Sequence, residues 1–185
     1  MTGTIGNQRA RVGDRVTFGS WYKDGDSSAE KEGIEWIVIG VDQEKKQAFL
    51  ISADILSARE FGTTDIWKNT EILQWLNGDF LNGAFNSAEK AQIDTRLYGE
   101  YDEELESIIG FSSKVALLSK AEKDEYLTNV TDLKAEGAGQ TEWWLRTPAN
   151  EGNIVYVSSS GQIATVGKDS GEVLGIRPVI WVDFD

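Results

Sequence analysis

The stretch Trp143-Trp-Leu-Arg-Thr-Pro148, with Ile154-Val-Tyr-Val-Ser158 and Gly175-Ile-Arg-Pro-Val-Ile-Trp181 after it, decides how this chain folds. The segments are short, apolar and separated by glycine and polar residues, which is typical of strands joined by turns. Ser160-Gly161 lies between two alternating segments and predicts a tight hairpin. The last third of the chain is therefore expected to be rich in short antiparallel strands.

Upstream, the sequence predicts a first hairpin followed by helices. Gly33–Asp42 is rich in β-branched residues and precedes Gln47–Ser52, so the two segments are expected to pair. Asn69 or Thr70 can cap a helical segment whose apolar residues recur every three or four positions up to Phe85. The Asn-Gly pairs within it predict two short helices or one broken helix.

Two more helices are predicted from their first residues. Ser87 can start one, and Ser119-Lys-Ala-Glu122 forms a capping box for another. Lys114–Leu118, just before the capping box, is expected to be a strand. Together these elements predict an α+β fold with a helical middle section, in which residues 1–11 form a polar N-terminal lead and residues 12–185 form one domain.

Composition restricts the chemistry of the chain. It has 185 residues with no His and no Cys, which excludes a Ser-His-Asp triad, thiolate attack and disulfides. The chain has 18 Lys and Arg but 31 Asp and Glu, and the resulting net charge of −13 argues against nucleic acid as a partner. No membrane span or signal peptide is visible, so no membrane insertion is expected, and the chain is either cytoplasmic or exported with its signal removed.

Acidic segments give no specific site. Asp24 to Glu32, with Glu35 after it, only faintly resembles a calcium loop, because Ala29 and Lys31 replace the required glycine and apolar residue. The acidic run 100–106 is expected to be a solvated loop or a fraying helix. Two carboxylates could support glycoside hydrolysis without His, but spacing selects no pair. No metal ligand, cofactor or catalytic residue is predicted.

Two arginines lie beside apolar segments and need partners to offset desolvation. Arg146 and Arg177 are the two, and Glu35, next to Trp36, is the candidate partner. We expect a structural network of Glu35, Trp36, Trp144, Arg146 and Arg177 that fastens the C-terminal strands to the first hairpin. Trp36 should be core, whereas one of the adjacent Trp143 and Trp144 should lie nearer to solvent.

Several segments carry a resemblance to a known family. They are Phe18-Gly-Ser20, Ile34-Glu-Trp36, Ile72-Leu-Gln-Trp-Leu-Asn77, Trp143-Trp-Leu-Arg-Thr-Pro148 and Gly175-Ile-Arg-Pro-Val-Ile-Trp181. With them the chain resembles an uncharacterised bacterial family related to the C-type lectin-like and formylglycine-generating-enzyme-like folds. The resemblance implies a lectin-like scaffold with a ligand-binding surface on its C-terminal strands and loops, as in retroelement-diversified variable proteins. It implies no catalysis, because the enzymes of this fold use Cys or His.

Between Pro148 and Gly175, buried-type residues alternate with polar ones, which leaves one face free for recognition. The candidate ligand-binding residues there are Asn150, Glu151, Asn153, Tyr156, Ser158, Gln162, Lys168 and Asp169. The predicted function is a non-catalytic binding module for a protein or a carbohydrate. A glycosidase-like carboxylate hydrolase and a structural module of a larger assembly are the alternatives.

Overall fold

The structure, a computed structural model, describes residues 3–102 and 107–185, and the side chains of residues 4–99 and 110–185. It has a mixed α+β fold in which strands predominate, as the sequence predicts. The strands are β1 Gly3–Ile5, β2 Gln8–Ala10, β3 Arg15–Tyr22, β4 Lys31–Asp42, β5 Gln47–Ser52, β6 Ser57–Glu60, β7 Arg96–Asp102, β8 Ser107–Ser113, β9 Trp143–Pro148, β10 Asn153–Val157, β11 Ile163–Asp169, β12 Val173–Ile176 and β13 Val179–Asp183. The helices are α1 Glu71–Trp75, α2 Leu81–Ala84, α3 Ser87–Gln92, α4 Lys120–Tyr126 and α5 Val130–Leu133.

Two sheets form the body of the domain. The first has the strand order β13-β5-β4-β3 and is antiparallel throughout. The second has the order β11-β10-β9-β12-β6, in which only the β9–β12 pair is parallel. The predicted hairpins β4–β5 and β10–β11 are both confirmed. Strand β12 was not predicted from the sequence, and it joins β9 to the edge strand β6.

The helical middle section begins as expected but is not broken. The Thr70 hydroxyl accepts a hydrogen bond from the Leu73 amide at the start of α1. A π-helical turn at Leu76–Phe80 then joins α1 to α2, so Asn77-Gly78 widens the helix and does not end it.

The other helix starts match the sequence with small corrections. Ser119 and Glu122 form the predicted capping box at α4. Helix α3 starts at Ser87 as predicted, and it is capped by Asn86, whose side chain accepts a hydrogen bond from the Glu89 amide. Residues 114–118 do not form the predicted strand. Residues 115–118 are buried, and Ala116 forms an isolated bridge with Val179.

The N-terminal residues pack against the domain. Ile5 and Ala10, at the ends of β1 and β2, are buried. Thr4 and Asp185 exchange backbone hydrogen bonds at 3.2 and 3.0 Å. The segment predicted as a polar lead therefore supplies apolar side chains to the core.

Trp143 and Trp144 are both fully buried, so the expectation that one of them lies nearer to solvent is wrong. The reason is that β9 lies between β10 and β12 and both faces of this sheet are covered. The Trp143 indole donates to the Leu133 carbonyl at 3.0 Å, and the Trp144 indole donates to the Arg59 carbonyl at 3.0 Å. Trp36 is buried in the core as predicted.

The two arginines are buried as expected, but Glu35 is not their partner. Glu35 lies on the outward face of β4 and pairs with Arg15 at 3.2 Å, because alternation places it opposite the buried Trp36. Arg146 instead pairs with Glu122 and donates to two backbone carbonyls.

Arg177 does tie the C-terminal strands to the first hairpin, although through backbone carbonyls. Its Nε donates to the Ser52 carbonyl at 2.8 Å, at the end of β5, and its Nη1 donates to the Asp132 carbonyl at 2.6 Å. Burial lowers the pKa of Arg177 to about 10. Arg146 and Arg177 thus have separate sets of acceptors, and the predicted link through Glu35 is wrong.

The acidic run falls partly outside the described residues. Glu100 and Asp102 belong to β7, so they are in neither a loop nor a helix. Glu103, Glu104 and Glu106 lie outside the described residues or side chains. Within the described part of the chain, every helix is too short or too polar to traverse a lipid bilayer.

Candidate functional site

An open cleft of about 500 Å³ lies where the first hairpin faces a loop from the second half of the chain. One wall is formed by Trp21, Tyr22, Asp24 and Gly25 and by residues 32–35 in β4. The opposite wall is the loop 136–141, and the floor is the segment 54–56 between β5 and β6. Three segments that are far apart in sequence therefore meet at this cleft.

Backbone hydrogen bonds fix the floor against its neighbours. The Ile55 amide donates to the Glu136 carbonyl at 3.0 Å, which holds the loop wall. The Leu56 amide donates to the Ile176 carbonyl at 2.9 Å, and the Trp21 indole donates to the Leu56 carbonyl at 3.1 Å. The floor is thus connected to both walls and to β12.

Both walls contain turns in unusual backbone conformations. Asp24 and Ala138 each have a φ of 51°, in the left-handed region that non-glycine residues rarely adopt. Gly137 has a φ of 146°, and a Cβ added there would overlap the Ile55 carbonyl oxygen. A Cβ on Gly25 would lie 2.9 Å from the Leu56 carbonyl oxygen. Strained backbone held by close packing is a recurrent property of binding and active sites.

The lining of the cleft is strongly acidic. Among the described residues it contains no Lys or Arg, and its five carboxylates are Asp24, Glu32, Glu35, Asp54 and Glu136. Only Glu35 has a cation partner, Arg15. The other four make no ion pair and no side-chain hydrogen bond with any residue that the structure describes. The cleft therefore presents negative charge that the described part of the protein leaves unneutralised.

Asp54 is the carboxyl most affected by this environment. Partial burial raises the pKa of Asp54 above its ordinary value, and the negative charges of Glu35 and Glu136 raise it further. Arg177 and Arg15 act in the opposite direction, but they do not cancel the effect. A positive group placed in the cleft would relieve this repulsion.

The carboxylates do not converge on one point. Among the described residues, no group of three or more acidic side chains is placed to hold a single metal ion. This includes Asp24, Glu32 and Glu35, which come from the segment that faintly resembled a calcium loop. The cleft suits several separated positive charges better than one ion.

The candidate ligand-binding residues predicted near the C-terminus lie on the β10–β11 hairpin, but at its two opposite ends. Asn153 lies opposite Asp169 at one end, next to Asn150 and Glu151 in the turn before β10. Ser158 and Gln162 lie at the other end, in the loop before β11, where the Ser158 hydroxyl accepts from the Gln162 amide at 3.2 Å. Tyr156 is half-buried between these ends.

Most of these side chains are engaged within the hairpin. Lys168 pairs with Glu142 at 2.7 Å and lies 4.8 Å from the centre of the Tyr156 ring. Asn153 donates to the Val166 carbonyl at 3.4 Å, and the Asp169 carboxylate accepts from the Gly171 amide at 2.8 Å. The expected alternation holds from Val155 to Ser158, where Val155 and Val157 are buried and Tyr156 and Ser158 are not. It does not extend further, because Ile163 is only half-buried and Ile154, next to a bulge in the strand, is buried as well.

Residues 45–184 match the DUF6273 family, a domain of unknown function. The chain belongs to this family. No curated protein and no solved structure matches it. The floor of the cleft and the loop 136–141 lie inside the DUF6273 region, whereas residues 21–35 precede it. The acidic cleft is thus formed where an N-terminal segment packs on the DUF6273 region.

Proposed function

We propose that this DUF6273 domain is a non-catalytic binding module that recognises a basic segment of a partner protein in the acidic cleft. The observation that carries the proposal is the set of four carboxylates in one cleft that make no ion pair or side-chain hydrogen bond with a described residue. Their dispersion favours a ligand with several separated cations, such as consecutive Lys or Arg side chains on a peptide.

Charge also favours a protein over a neutral carbohydrate as the ligand. A neutral sugar would leave the repulsion around Asp54 unchanged, whereas an ammonium or guanidinium group would offset it. The net charge of −13 would further attract a basic partner and increase its rate of association. Trp21 and Tyr22 supply apolar surface beside the carboxylates for the methylene stems of such side chains.

The C-terminal face is less well supported as the ligand site, because its polar groups largely satisfy one another. The lectin-like identity of the scaffold is likewise proposed. It is supported by the Trp-Trp-Leu-Arg-Thr-Pro and Gly-Ile-Arg-Pro segments, whose two arginines lie in the core.

The proposal is tested with an acetylated and amidated tetralysine peptide, titrated into the protein by calorimetry. The cleft variant Glu32→Gln, Asp54→Asn, Glu136→Gln should bind the peptide at least about tenfold more weakly, because three exposed or partly buried ion pairs are lost. The control variant Glu44→Gln, Glu125→Gln, Glu172→Gln removes the same charge from exposed positions outside the cleft and should bind nearly as the wild type does.

Equal weakening in the cleft and control variants would mean that only overall charge attracts the peptide, and it would contradict the proposal. Absence of binding to the wild type would also contradict it and would favour the structural-module alternative. Circular dichroism and the melting temperature of each variant show whether it is folded.

A carboxylate hydrolase is the second candidate, and the raised pKa of Asp54 in a cleft with other carboxylates is the observation that favours it. An assay with p-nitrophenyl glycosides separates the two functions. Turnover that Asp54→Asn abolishes, with peptide binding retained, would support hydrolysis.

A further inference from the structure

A second, smaller groove of about 260 Å³ lies between β6 and α1. Ala58, Arg59 and Glu60 line it from the strand, and Ile72 and Trp75 line it from the helix. This groove is distinct from the acidic cleft, and Arg59 is its only cation among the described lining residues.

Arg59 is held mainly by an aromatic ring, with the negative charge of Asp79 in its neighbourhood. The centre of its guanidinium lies 4.3 Å from the centre of the Trp75 ring, in a cation–π contact. Its Nε is buried without a hydrogen-bond partner, and Arg59 makes no ion pair with a described residue. Glu71, which also lines the groove, is occupied elsewhere, since its carboxylate accepts from the Thr63 amide and hydroxyl at 3.0 and 2.8 Å.

Because Arg59 makes no ion pair with a described residue, its guanidinium is suited to binding a carboxylate. Arginine presents N–H donors in a planar fork that matches the two oxygens of a carboxylate. Partial burial strengthens such a contact relative to one in open solvent, and it lowers the pKa of Arg59 while no anion is bound.

The groove and the cleft are consecutive along one segment of chain. Residues 54–56 form the floor of the cleft, and residues 58–60 form one side of the groove. Trp21 contacts both sites, because its indole bonds to the Leu56 carbonyl and its ring lies 5.9 Å from that of Trp75. Asp54 and Arg59 are five residues apart, so at about 3.3 Å per residue an extended chain separates them by at most about 17 Å.

We propose that the groove holds a carboxylate of the same peptide ligand, so that basic side chains occupy the cleft while an acidic residue four or five positions away binds Arg59. This inference rests on the proposed function of the cleft. The proposed occupant is a bipolar peptide, whose positive and negative charges are separated by about the length of segment 54–59.

The experiment measures fluorescence polarisation with labelled peptides, acetylated or labelled at one end and amidated at the other. The probe is Lys-Lys-Ser-Ser-Ser-Glu, with Lys-Lys-Ser-Ser-Ser-Gln as its control, and both are also made in reverse order because either chain direction is possible. For the better direction, the Glu peptide should bind the wild type about three- to tenfold more tightly than the Gln peptide. A gain is diagnostic, because an added negative charge should otherwise weaken binding to a protein of charge −13.

Arg59→Gln should remove this preference and reverse its sign, while Arg59→Lys should retain part of it. Arg11→Gln, which removes the same charge from an exposed position outside both sites, should leave the preference unchanged. If both peptides bind but the preference is absent in the wild type, or survives in Arg59→Gln, the inference about the groove is wrong and the proposed function of the cleft stands. If neither peptide binds in either direction, both are wrong.

Discussion

The acidic cleft and the C-terminal hairpin are both polar surfaces, but they differ in how their charges are satisfied. On the hairpin, Lys168 has Glu142 and the Tyr156 ring as partners, and Asp169 accepts from a backbone amide. In the cleft, four of the five carboxylates have no partner among the described residues. The hairpin groups stabilise their own turn, whereas the cleft groups are free for a ligand.

The two regions are more alike in the packing of their glycines. In the cleft, a Cβ added at Gly137 would overlap the Ile55 carbonyl oxygen, whereas one at Gly139 would meet no atom within 4 Å. On the hairpin, a Cβ added at Gly167 would lie 2.7 Å from the Ile154 carbonyl oxygen, whereas one at Gly152 would meet no atom within 4 Å. The pairing of charged side chains, and not the packing of the backbone, therefore distinguishes the cleft from the hairpin.

The largest expected effect comes from alanine at two glycines, one in each region. Gly137→Ala should lower the free energy of unfolding by about 3 kcal/mol or more, since the Cβ overlaps the Ile55 carbonyl and φ is positive. Gly152→Ala should cost only about 1 kcal/mol, because it meets no neighbour. Urea denaturation measures both, and equal costs would contradict the close packing of the cleft wall.

A smaller effect is expected from Asp54→Asn, and its size depends on pH. Because the pKa of Asp54 is raised in the folded state, the stability that its protonated form contributes is lost as pH rises through that pKa. At pH 7 the variant should therefore melt about 1–3 °C above the wild type. Near pH 3 the Asp54 carboxyl is protonated in both the folded and the unfolded state, so the melting temperatures of the variant and the wild type should converge.

Asp26→Asn is the matched control for this prediction. Ser28 donates to Asp26 from both its amide and its hydroxyl, which lowers the pKa of Asp26. Asp26→Asn should therefore either leave the melting temperature at pH 7 unchanged or decrease it. A lower melting temperature for Asp54→Asn as well would show that Asp54 stabilises the fold and is not strained by its neighbours.

The smallest effect is expected on the hairpin. Lys168→Gln and Glu142→Gln should each lower the free energy of unfolding by no more than about 1 kcal/mol, and a double-mutant cycle should give a coupling of about 0.5 kcal/mol, because the pair is partly exposed. Thermal and urea denaturation of the four proteins provide the cycle. A coupling of zero would remove the evidence that this surface is organised by its own contacts.

The sequence predicted the elements better than it predicted the site. Hydrophobic alternation and capping residues correctly indicate the β4–β5 hairpin, the Ser119 cap and the buried Arg177, because each is decided by local pattern or by desolvation. The partner of Arg177 could not be predicted, since backbone carbonyls leave no mark in sequence.

The cleft was missed for a related reason. Asp24, Asp54 and Glu136 are separated by up to 112 positions, and 31 acidic residues offer too many combinations for spacing to select a set. The one local signal is the turn Gly137-Ala-Gly139, which is now seen to pack on the floor. The hairpin was predicted as the site instead, because alternation of apolar and polar residues is visible in the sequence. The bulge between Ile154 and Tyr156 is not visible there.

The central claim is that cations bind where the carboxylates lack partners, and not on the C-terminal hairpin. Its most direct test is a titration of the ¹⁵N-labelled protein with tetralysine amide, followed by amide chemical shifts. The account predicts the largest shifts at Gly25, Gly33, Ile55, Gly137 and Gly139, which surround the cleft. Largest shifts at residues 153–169 would contradict it and would return the ligand site to the hairpin.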